Sequence, residues 1–133
     1  MANKKLLGVL FDTETSRAKA VRLDDNLESF YKALHCTTID IIERTVVGRR
    51  FNIVCDDEAL LQSDCRVSAI TPRLEATLFG SLFVVGPCDE EGNLTSLTRA
   101  DVKHILSNSF SHYQASDTIS CRYPMTMLVC TNT

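Results

Sequence analysis

The sequence predicts a single α+β domain over residues 1–133, in which a mixed, mainly antiparallel sheet packs against two helices. The chain length of 133 residues is close to the commonest size of one domain. Several short apolar runs bounded by turn residues are typical of strands, and two segments repeat apolar residues at helical spacing. Their order is ββαββ, a long excursion and then βαβ, which favours helices packed on a mainly antiparallel sheet.

The chain begins with a predicted β-hairpin. Residues 4–11 form an apolar run, and residues 17–23 alternate between apolar and polar side chains, as a half-buried strand does. The polar residues 12–16 between them are suited to a turn. The two segments are therefore expected to pair as neighbouring strands.

A first helix is expected over residues 25–35. Asp25 is a suitable N-cap, because Glu28 follows it at the spacing of a capping box. The apolar residues of this segment recur at i, i+3, i+4 and i+7 and define one helical face, made of Leu27, Phe30, Tyr31 and Leu34. This face is expected to pack on the sheet.

The middle of the chain predicts a second hairpin and then an irregular stretch. The β-branched residues in 38–47 and 49–55 indicate two strands that turn at Gly48. Residues 56–76 contain many polar residues and a proline, so a long excursion with little regular structure is expected there. Residues 78–85 form the most apolar run of the chain, which predicts one central strand.

The last third predicts a turn over 89–93, a second helix and a terminal strand. Thr98 caps a helix expected over 98–110, with Asp101 placed to favour the helix dipole. Residues 118–130 predict one or two strands, broken near their proline and docked on a sheet edge of this chain or of a partner. The inner face of the helix is expected to comprise Val102, Ile105, Leu106 and Ser109.

Composition and charge argue against several classes of protein. The net charge is −3 and the isoelectric point is about 5.5, whereas a duplex-DNA binder usually carries a basic face. The N-terminal apolar run is too short for a signal peptide or a membrane span, so no membrane association and a cytoplasmic location are expected. Basic residues do cluster locally and are expected to be solvated, namely Lys4, Lys5, Arg17, Lys19 and Arg22.

Metal-binding residue types are present without metal-binding spacing. The six cysteines are expected to be reduced, and they contain no Cys-x-x-Cys pair. The three histidines show no ligand spacing either, with His104 expected on the surface and His112 in a loop. No cofactor is predicted.

The carboxylates Asp56, Asp57 and Glu58 are the candidate residues for an enzymatic site. Oxygen ligands at the end of a strand can hold Mg²⁺ or Mn²⁺, which would suit a metal-dependent phosphoesterase. Consecutive residues cannot all face one side of a strand, so such a site would need help from Asp40 or Glu43, and an exposed turn is the alternative interpretation. No Gly-x-Ser-x-Gly, Walker or dinucleotide-binding motif is present.

Scattered arginines favour a binding function. A guanidinium group can hold a phosphate through two hydrogen bonds, and an aromatic ring can stack on a base. The candidate ligand-binding residues are Arg49, Arg50, Arg73, Tyr113 and Arg122. Ordinary salt-linked surface arginines remain the alternative interpretation.

Five segments resemble a known protein family, namely residues 27–36, 39–42, 54–61, 80–86 and 88–93. They match a helix with spaced apolar residues, a strand, an acidic segment that ends in two leucines, a strand between two glycines and a polar turn. The family is a small domain of unknown function carried by Gram-positive bacteria, their plasmids and conjugative elements, and phages.

The resemblance covers roughly residues 6–107. Ala59 stands where the family pattern has glycine, and the tail after Phe110 has no counterpart, so residues 110–133 are expected to form a C-terminal extension. The resemblance implies an accessory or anti-defence role, by association with mobile elements rather than by chemistry.

Three functional hypotheses follow, and the first is preferred. In the first, a non-enzymatic phage or mobile-element protein binds a nucleotide-derived signal or a host defence protein. In the second, Asp56, Asp57 and Glu58 serve a metal-dependent phosphoesterase. In the third, a structural or regulatory module forms a homo-oligomer through its C-terminal strand.

Overall fold

A computed structural model describes residues 4–59, 67–73, 75–115 and 122–131. The fold is α+β with two helices and mainly antiparallel strands, as predicted. In chain order the elements are β1 (Lys5–Asp12), β2 (Arg17–Asp24), α1 (Leu27–Leu34), β3 (Ile39–Val46), β4 (Arg49–Asp56), β5 (Val67–Ile70), β6 (Ala76–Phe79), β7 (Leu82–Val85), α2 (Arg99–Ser107), β8 (Ser109–Ala115) and β9 (Arg122–Val129). Both predicted hairpins, β1–β2 and β3–β4, are confirmed.

The described strands form two sheets rather than the single sheet that was predicted. A five-stranded antiparallel sheet has the order β2-β1-β7-β4-β3. A four-stranded sheet has the order β6-β5-β9-β8, in which β5 and β9 run parallel. Burial of apolar side chains on the facing surfaces holds the two sheets together.

Both faces of the five-stranded sheet are covered. Alternate residues such as Phe11 and Ile53 face a core shared with α2 and the four-stranded sheet. The residues between them, such as Leu10 and Val54, face a second core under α1. All four residues of β7 are buried because this central strand is covered on both sides, which explains its uninterrupted apolar sequence.

Close packing at the centre of this sheet requires a glycine at position 8. A Cβ atom built on Gly8 would lie 2.5 Å from the carbonyl oxygen of Val84 and 2.6 Å from Cε1 of Phe83. Neither neighbour has room to move, since Val84 is a ladder residue and Phe83 fills the core under α1. The helix α1 therefore packs on a strand that tolerates no side chain at this point.

The apolar run 78–85 is not one strand, as was predicted, but two. Gly80, at φ +76°, separates β6 from β7, and the two strands belong to different sheets. A glycine adopts this conformation without the steric cost that a Cβ imposes. The prediction of an irregular excursion over 56–76 is also wrong in part, because β5 lies within it.

The C-terminal strand differs from the prediction as well. β9 is continuous through Pro124, which pairs with Tyr113 on β8. It lies between β5 and β8 rather than on a sheet edge. Bonds from the amides of Cys130 to Ile70 and of Thr131 to Thr45 fix its end against both sheets.

The predicted helices are present with adjusted ends. The N-cap of α1 is Asn26, whose Oδ1 accepts from the Ser29 amide at 2.8 Å, and not Asp25. The Asp25 amide donates to the Lys4 carbonyl, which keeps that residue in the hairpin. Leu27 is 56% exposed, so the packed face of α1 is narrower than predicted and rests on Phe30 and Leu34, which are buried.

The second helix begins as predicted. Thr98 and Asp101 form a reciprocal capping box, with both bonds at 3.1 Å. Ile105 is its buried contact, whereas Leu106 is exposed and Ser109 belongs to β8. Neither α1 nor α2 is long and apolar enough to cross a membrane, and the described residues contain no other helix that is.

Candidate functional site

Two of the predicted ligand-binding arginines form ion pairs with carboxylates of the chain. Arg49 and Arg50 are consecutive on β4, so their side chains leave opposite faces of the sheet. Nη1 of Arg49 lies 3.3 Å from Oδ1 of Asp101, and Nη1 of Arg50 lies 2.9 Å from Oε1 of Glu43. An anion would have to displace a carboxylate to bind either one.

The other three predicted residues lie elsewhere. Arg73 is exposed in the turn between β5 and β6, on the four-stranded sheet. Tyr113 is on β8 and Arg122 on β9, where they pair with Pro124 and Ala115, and their side chains lie outside the described part of the structure. Arg49, Arg50 and Arg73 thus lie on three different surfaces, namely the two faces of β4 and a turn of the four-stranded sheet.

The acidic residues at the end of β4 form a turn. Oδ1 of Asp56 accepts from the Glu58 amide at 2.9 Å. A cavity of about 350 Å³ lies between residues 55–59 and 77–79. Within the described ranges, no group of three or more histidine, cysteine, aspartate or glutamate side chains is placed to hold a metal ion.

A larger cavity, of about 580 Å³, lies beside the edge strand β2. Its described lining consists of Thr15, Arg17, Ala18 and Lys19. Arg17 pairs across the ladder with Asp12 and Lys19 with Leu10, so both cations leave the sheet on the face that α1 covers. Among the residues that the structure describes, neither Arg17 nor Lys19 has an ion-pair partner.

The carboxylate nearest to Arg17 in the ladder is held by other groups. Oδ1 of Asp12 lies 3.6 Å from Nε2 of His35 and accepts from the Glu14 amide at 3.0 Å. The Glu14 carboxylate is also close to His35, at 3.5 Å. His35 ends α1 in the left-handed conformation, at φ 55°, which brings its ring to the end of β1. This arrangement leaves the Arg17 guanidinium available.

The C-terminal hairpin passes close to this cavity. The Thr126 amide of β9 donates to the Ser16 carbonyl, at 3.0 Å, in the turn that precedes β2. β9 also contacts β2 itself. The middle of the hairpin that carries Tyr113 and Arg122 therefore lies next to the turn before β2, although those two residues were predicted without reference to the cavity.

A smaller cavity of about 250 Å³ lies near the opposite end of the five-stranded sheet. It is lined by Glu43, Arg50, Phe51, Asn52, Pro87 and Cys88. Asn52 is only 8% exposed, and its Nδ2 donates to the Gly86 carbonyl at 3.3 Å and to Sγ of Cys88 at 3.2 Å. The exposed thiol of Cys88 is thus in contact with a buried amide.

The described cysteines differ in their chemical environment. Cys36, Cys55, Cys88 and Cys130 are free thiols, whereas Cys65 and Cys121 lie outside the described residues. Burial raises the pKa of Cys55 to about 11, with Asp40 as a second cause, and raises that of Cys130 to about 11. Burial also raises the pKa of Cys36. These three thiols are therefore held in the protonated form at neutral pH.

The histidines have structural positions. His104 was predicted to be a surface residue, but it is half-buried and its Nε2 is hydrogen-bonded to the Val46 carbonyl oxygen. Its ring also packs near that of Phe51, with centroids 6.3 Å apart. His112 was predicted to lie in a loop and is instead on β8. The sequence offered no spacing from which the contacts of His104 with Val46 and Phe51 could be predicted.

From the sequence, Arg17 and Lys19 were expected only to belong to a solvated basic cluster. Their alternation on a predicted strand already indicated a shared face. The sequence did not predict the contact between Asp12 on β1 and His35 at the end of α1. Because Asp12 contacts His35, it does not form an ion pair with Arg17.

Comparison with protein families gives a match over most of the chain. Residues 6–110 match the profile of a family described as a domain of unknown function, DUF3846. No curated protein and no solved structure matches the chain significantly.

Proposed function

Because the chain belongs to the DUF3846 family, which is described without an activity, we propose a function from the geometry of the site. The protein binds a small anionic ligand of the nucleotide class in the cavity beside β2 and does not turn it over. The observation that carries this proposal is the pair of unpaired cations, Arg17 and Lys19, on one cavity wall.

The residue types of the cavity suit a phosphate group. The Arg17 guanidinium offers a planar fork that matches two phosphate oxygens, and the Lys19 ammonium adds a point charge. Thr15 adds a hydroxyl group that can donate or accept. The volume of about 580 Å³ falls within the range of ordinary ligand pockets, roughly 300–1,000 Å³.

The same lining supports binding rather than turnover. Its described residues carry no carboxylate, imidazole or thiol that would act as a general base or nucleophile. The nearest such groups, Asp12, Glu14 and His35, contact one another. The phosphoesterase hypothesis for Asp56, Asp57 and Glu58 concerns a different cavity and stays a prediction.

The biological role rests on the family resemblance. In a domain carried by phages and conjugative elements, a nucleotide-binding protein without turnover would act in the cytoplasm as a sponge for a nucleotide-derived defence signal. The proposal is therefore an anti-defence role. Masking of a host defence protein is the competing outcome, and it would need no small ligand.

Isothermal titration with adenosine diphosphate and with a cyclic dinucleotide tests the site. We expect the wild-type protein to bind at least one of them, and Arg17→Ala and Lys19→Ala each to lose roughly tenfold in affinity, as removal of one charge-assisted contact does. Arg22→Ala is the matched control. Arg22 is an exposed arginine on the same strand, but it pairs with Leu7 and leaves the opposite face.

Three results would reject the proposal. Equal affinities for Arg17→Ala and Arg22→Ala would place the ligand elsewhere. Absence of binding by the wild-type protein would leave protein masking as the preferred function. Hydrolysis of the titrated nucleotide, lost on chelation and in Asp57→Asn, would establish the enzymatic hypothesis instead.

A further inference from the structure

We propose that Cys88 is a site of thiol–disulfide exchange with a small peptide disulfide, which the cavity lined by Asn52, Arg50 and Glu43 recognises. This inference concerns the 250 Å³ cavity near the opposite end of the sheet and does not depend on the nucleotide site. Three independent features of the cavity support it, namely a buried amide, a pair of opposite charges and an exposed sulfur.

Asn52 presents an acceptor without a donor. The side chain is 8% exposed and lines the cavity, and both of its hydrogen bonds are made by Nδ2. Within the described part of the chain, no group donates to its Oδ1. This oxygen is not one of the fully buried, unpartnered side-chain atoms of the described residues, so it can be reached from the cavity. The backbone N–H of a bound peptide can donate to it.

Arg50 and Glu43 place opposite charges at the rim. Their Nη1 and Oε1 atoms are 2.9 Å apart, and the two side chains are 66% and 53% exposed. A peptide terminus carries a carboxylate or an ammonium group, and an amino-acid end carries both. An amino-acid end, which carries both groups, can place its carboxylate on Arg50 and its ammonium on Glu43, so that neither member of the pair is left uncompensated.

Cys88 lines the same cavity as Asn52 and Arg50, so a peptide disulfide bound there would lie next to its sulfur. Cys88 is exposed, and the Nδ2–H of Asn52 points to Sγ from 3.2 Å, so a negative charge on sulfur receives a hydrogen bond. The loop is fixed here because the Gly86 amide donates to the Thr95 carbonyl at 2.9 Å. A Cβ on Gly86 would lie 2.6 Å from Oγ1 of Thr95, so the loop and the Thr95 segment are in close contact.

The exchange step needs no other reactant. The Cys88 thiol loses its proton, and the thiolate attacks one sulfur of the peptide disulfide. A new S–S bond forms as the original S–S bond breaks, and the departing peptide thiolate takes up a proton. The sulfur of Cys88 is oxidised and the leaving sulfur is reduced, so electrons balance. The product is a mixed disulfide that fills the cavity and is reversed by a thiol.

The test measures modification of the folded protein by two disulfides with intact-mass and peptide-mapping mass spectrometry. Glutathione disulfide carries peptide N–H groups and charged ends, whereas 2-hydroxyethyl disulfide has neither. We expect glutathione disulfide to modify Cys88 roughly tenfold faster than 2-hydroxyethyl disulfide does, as one charge-assisted contact provides. Arg50→Ala should lose this preference and still react with 2-hydroxyethyl disulfide.

Matched variants separate the sites. Arg49→Ala, which removes the neighbouring arginine on the opposite face, should keep the preference, and Cys36→Ser should keep the modification. Cys88→Ser should abolish it. Modification that falls mainly on Cys65, Cys121 or a buried cysteine would overturn the proposal, and so would an equal preference in the wild-type protein and Arg50→Ala.

Discussion

Two strands of one sheet carry arginines that differ in whether they form an ion pair among the described residues. On β4, Arg49 and Arg50 each contact a carboxylate, from Asp101 and Glu43. On β2, Arg17 faces the same way as Asp12, but that carboxylate contacts His35 and accepts from the Glu14 amide. We infer from this difference that the capacity to bind an anion depends on how acids and bases are paired. It does not depend on how many arginines a segment contains.

The energy of an exposed ion pair explains why an arginine in such a pair is less available to an anion than an unpaired one. An exposed ion pair contributes only about 0–1 kcal/mol to stability. It nevertheless neutralises the charge that an incoming phosphate would meet, and the displaced carboxylate then repels the anion. An unpaired guanidinium carries no such cost. We therefore propose the anion site on β2, whereas the residues predicted from the sequence were Arg49 and Arg50 on β4 together with Arg73, Tyr113 and Arg122.

The largest expected effect comes from breaking the sheet that carries both strands. In Gly8→Ala the new methyl group would meet the Val84 carbonyl and the Phe83 ring, so we expect a loss of about 3 kcal/mol in the free energy of unfolding. Chemical denaturation measures it. Ala20→Ser, at an exposed position of β2, is the control and should unfold within about 0.5 kcal/mol of the wild type. An unchanged midpoint for Gly8→Ala would contradict the close packing described here.

The next largest effect, on nucleotide affinity, is expected from placing a carboxylate next to Arg17 on β2, as Glu43 lies next to Arg50 on β4. Lys19→Glu removes one cation and places a carboxylate two residues from Arg17 on the same face. We expect nucleotide affinity to fall roughly hundredfold, because two charge-assisted contacts are lost. Titration measures this, and Arg22→Glu, with the same change of charge on the other face, should lose far less. Similar losses in both variants would mean that net charge, not the cavity, controls binding.

A smaller effect, on anion affinity, is expected from removing the carboxylate that forms the ion pair with Arg50 on β4. In the Lys19→Glu background, Glu43→Gln removes the carboxylate that neutralises Arg50. Pyrophosphate affinity should then rise roughly two- to fivefold, which corresponds to the small worth of an exposed ion pair. Asp40→Gln, on the same strand but without an ion pair among the described residues, should leave it unchanged. No gain in Glu43→Gln would show that pairing is not what makes Arg50 unavailable.

The smallest expected effect concerns the loop beside the β4 cavity. The backbone amide of Asn93, followed by that of Glu91, holds the pKa of Asp89 below its usual range. Because the folded-state pKa is lowered, this contribution to stability is present above the unfolded-state pKa and is lost as pH falls through the folded-state value. The melting temperature of the wild type should therefore exceed that of Asp89→Asn at pH 7, and the two should converge in acid. A constant difference across pH would contradict this.

The elements that the sequence predicted are those whose signals are local. An apolar run located β1, alternation located β2, and the N-cap residue Thr98 with Asp101 three positions on located the start of α2. The break at Gly80 was missed because an apolar run looks the same whether it continues in one sheet or crosses to another. The N-cap was placed one residue early because Asp25 and Asn26 are both good caps. Only the long-range bond from Asp25 to Lys4 distinguishes them.

The candidate sites were less predictable than the fold. Arg50 was predicted to bind a ligand, and this stays a prediction. It lines a cavity, and its ion-pair partner Glu43 lies on another strand. The availability of Arg17 depends on a histidine at the end of α1. Oligomerisation through the C-terminal strand stays a prediction, and β9, which was expected on an edge, is flanked on both sides within the chain.

Native mass spectrometry of the protein purified from bacterial cells is the strongest test of the proposed anion site on β2. The comparison is between the wild type and the double variant Arg17→Ala, Lys19→Ala. We expect a nucleotide-sized mass bound to the wild-type protein and absent from the double variant, while Arg50→Ala retains it. A wild-type protein without bound mass, or a double variant that keeps the same mass, would contradict the assignment of an anion site to β2.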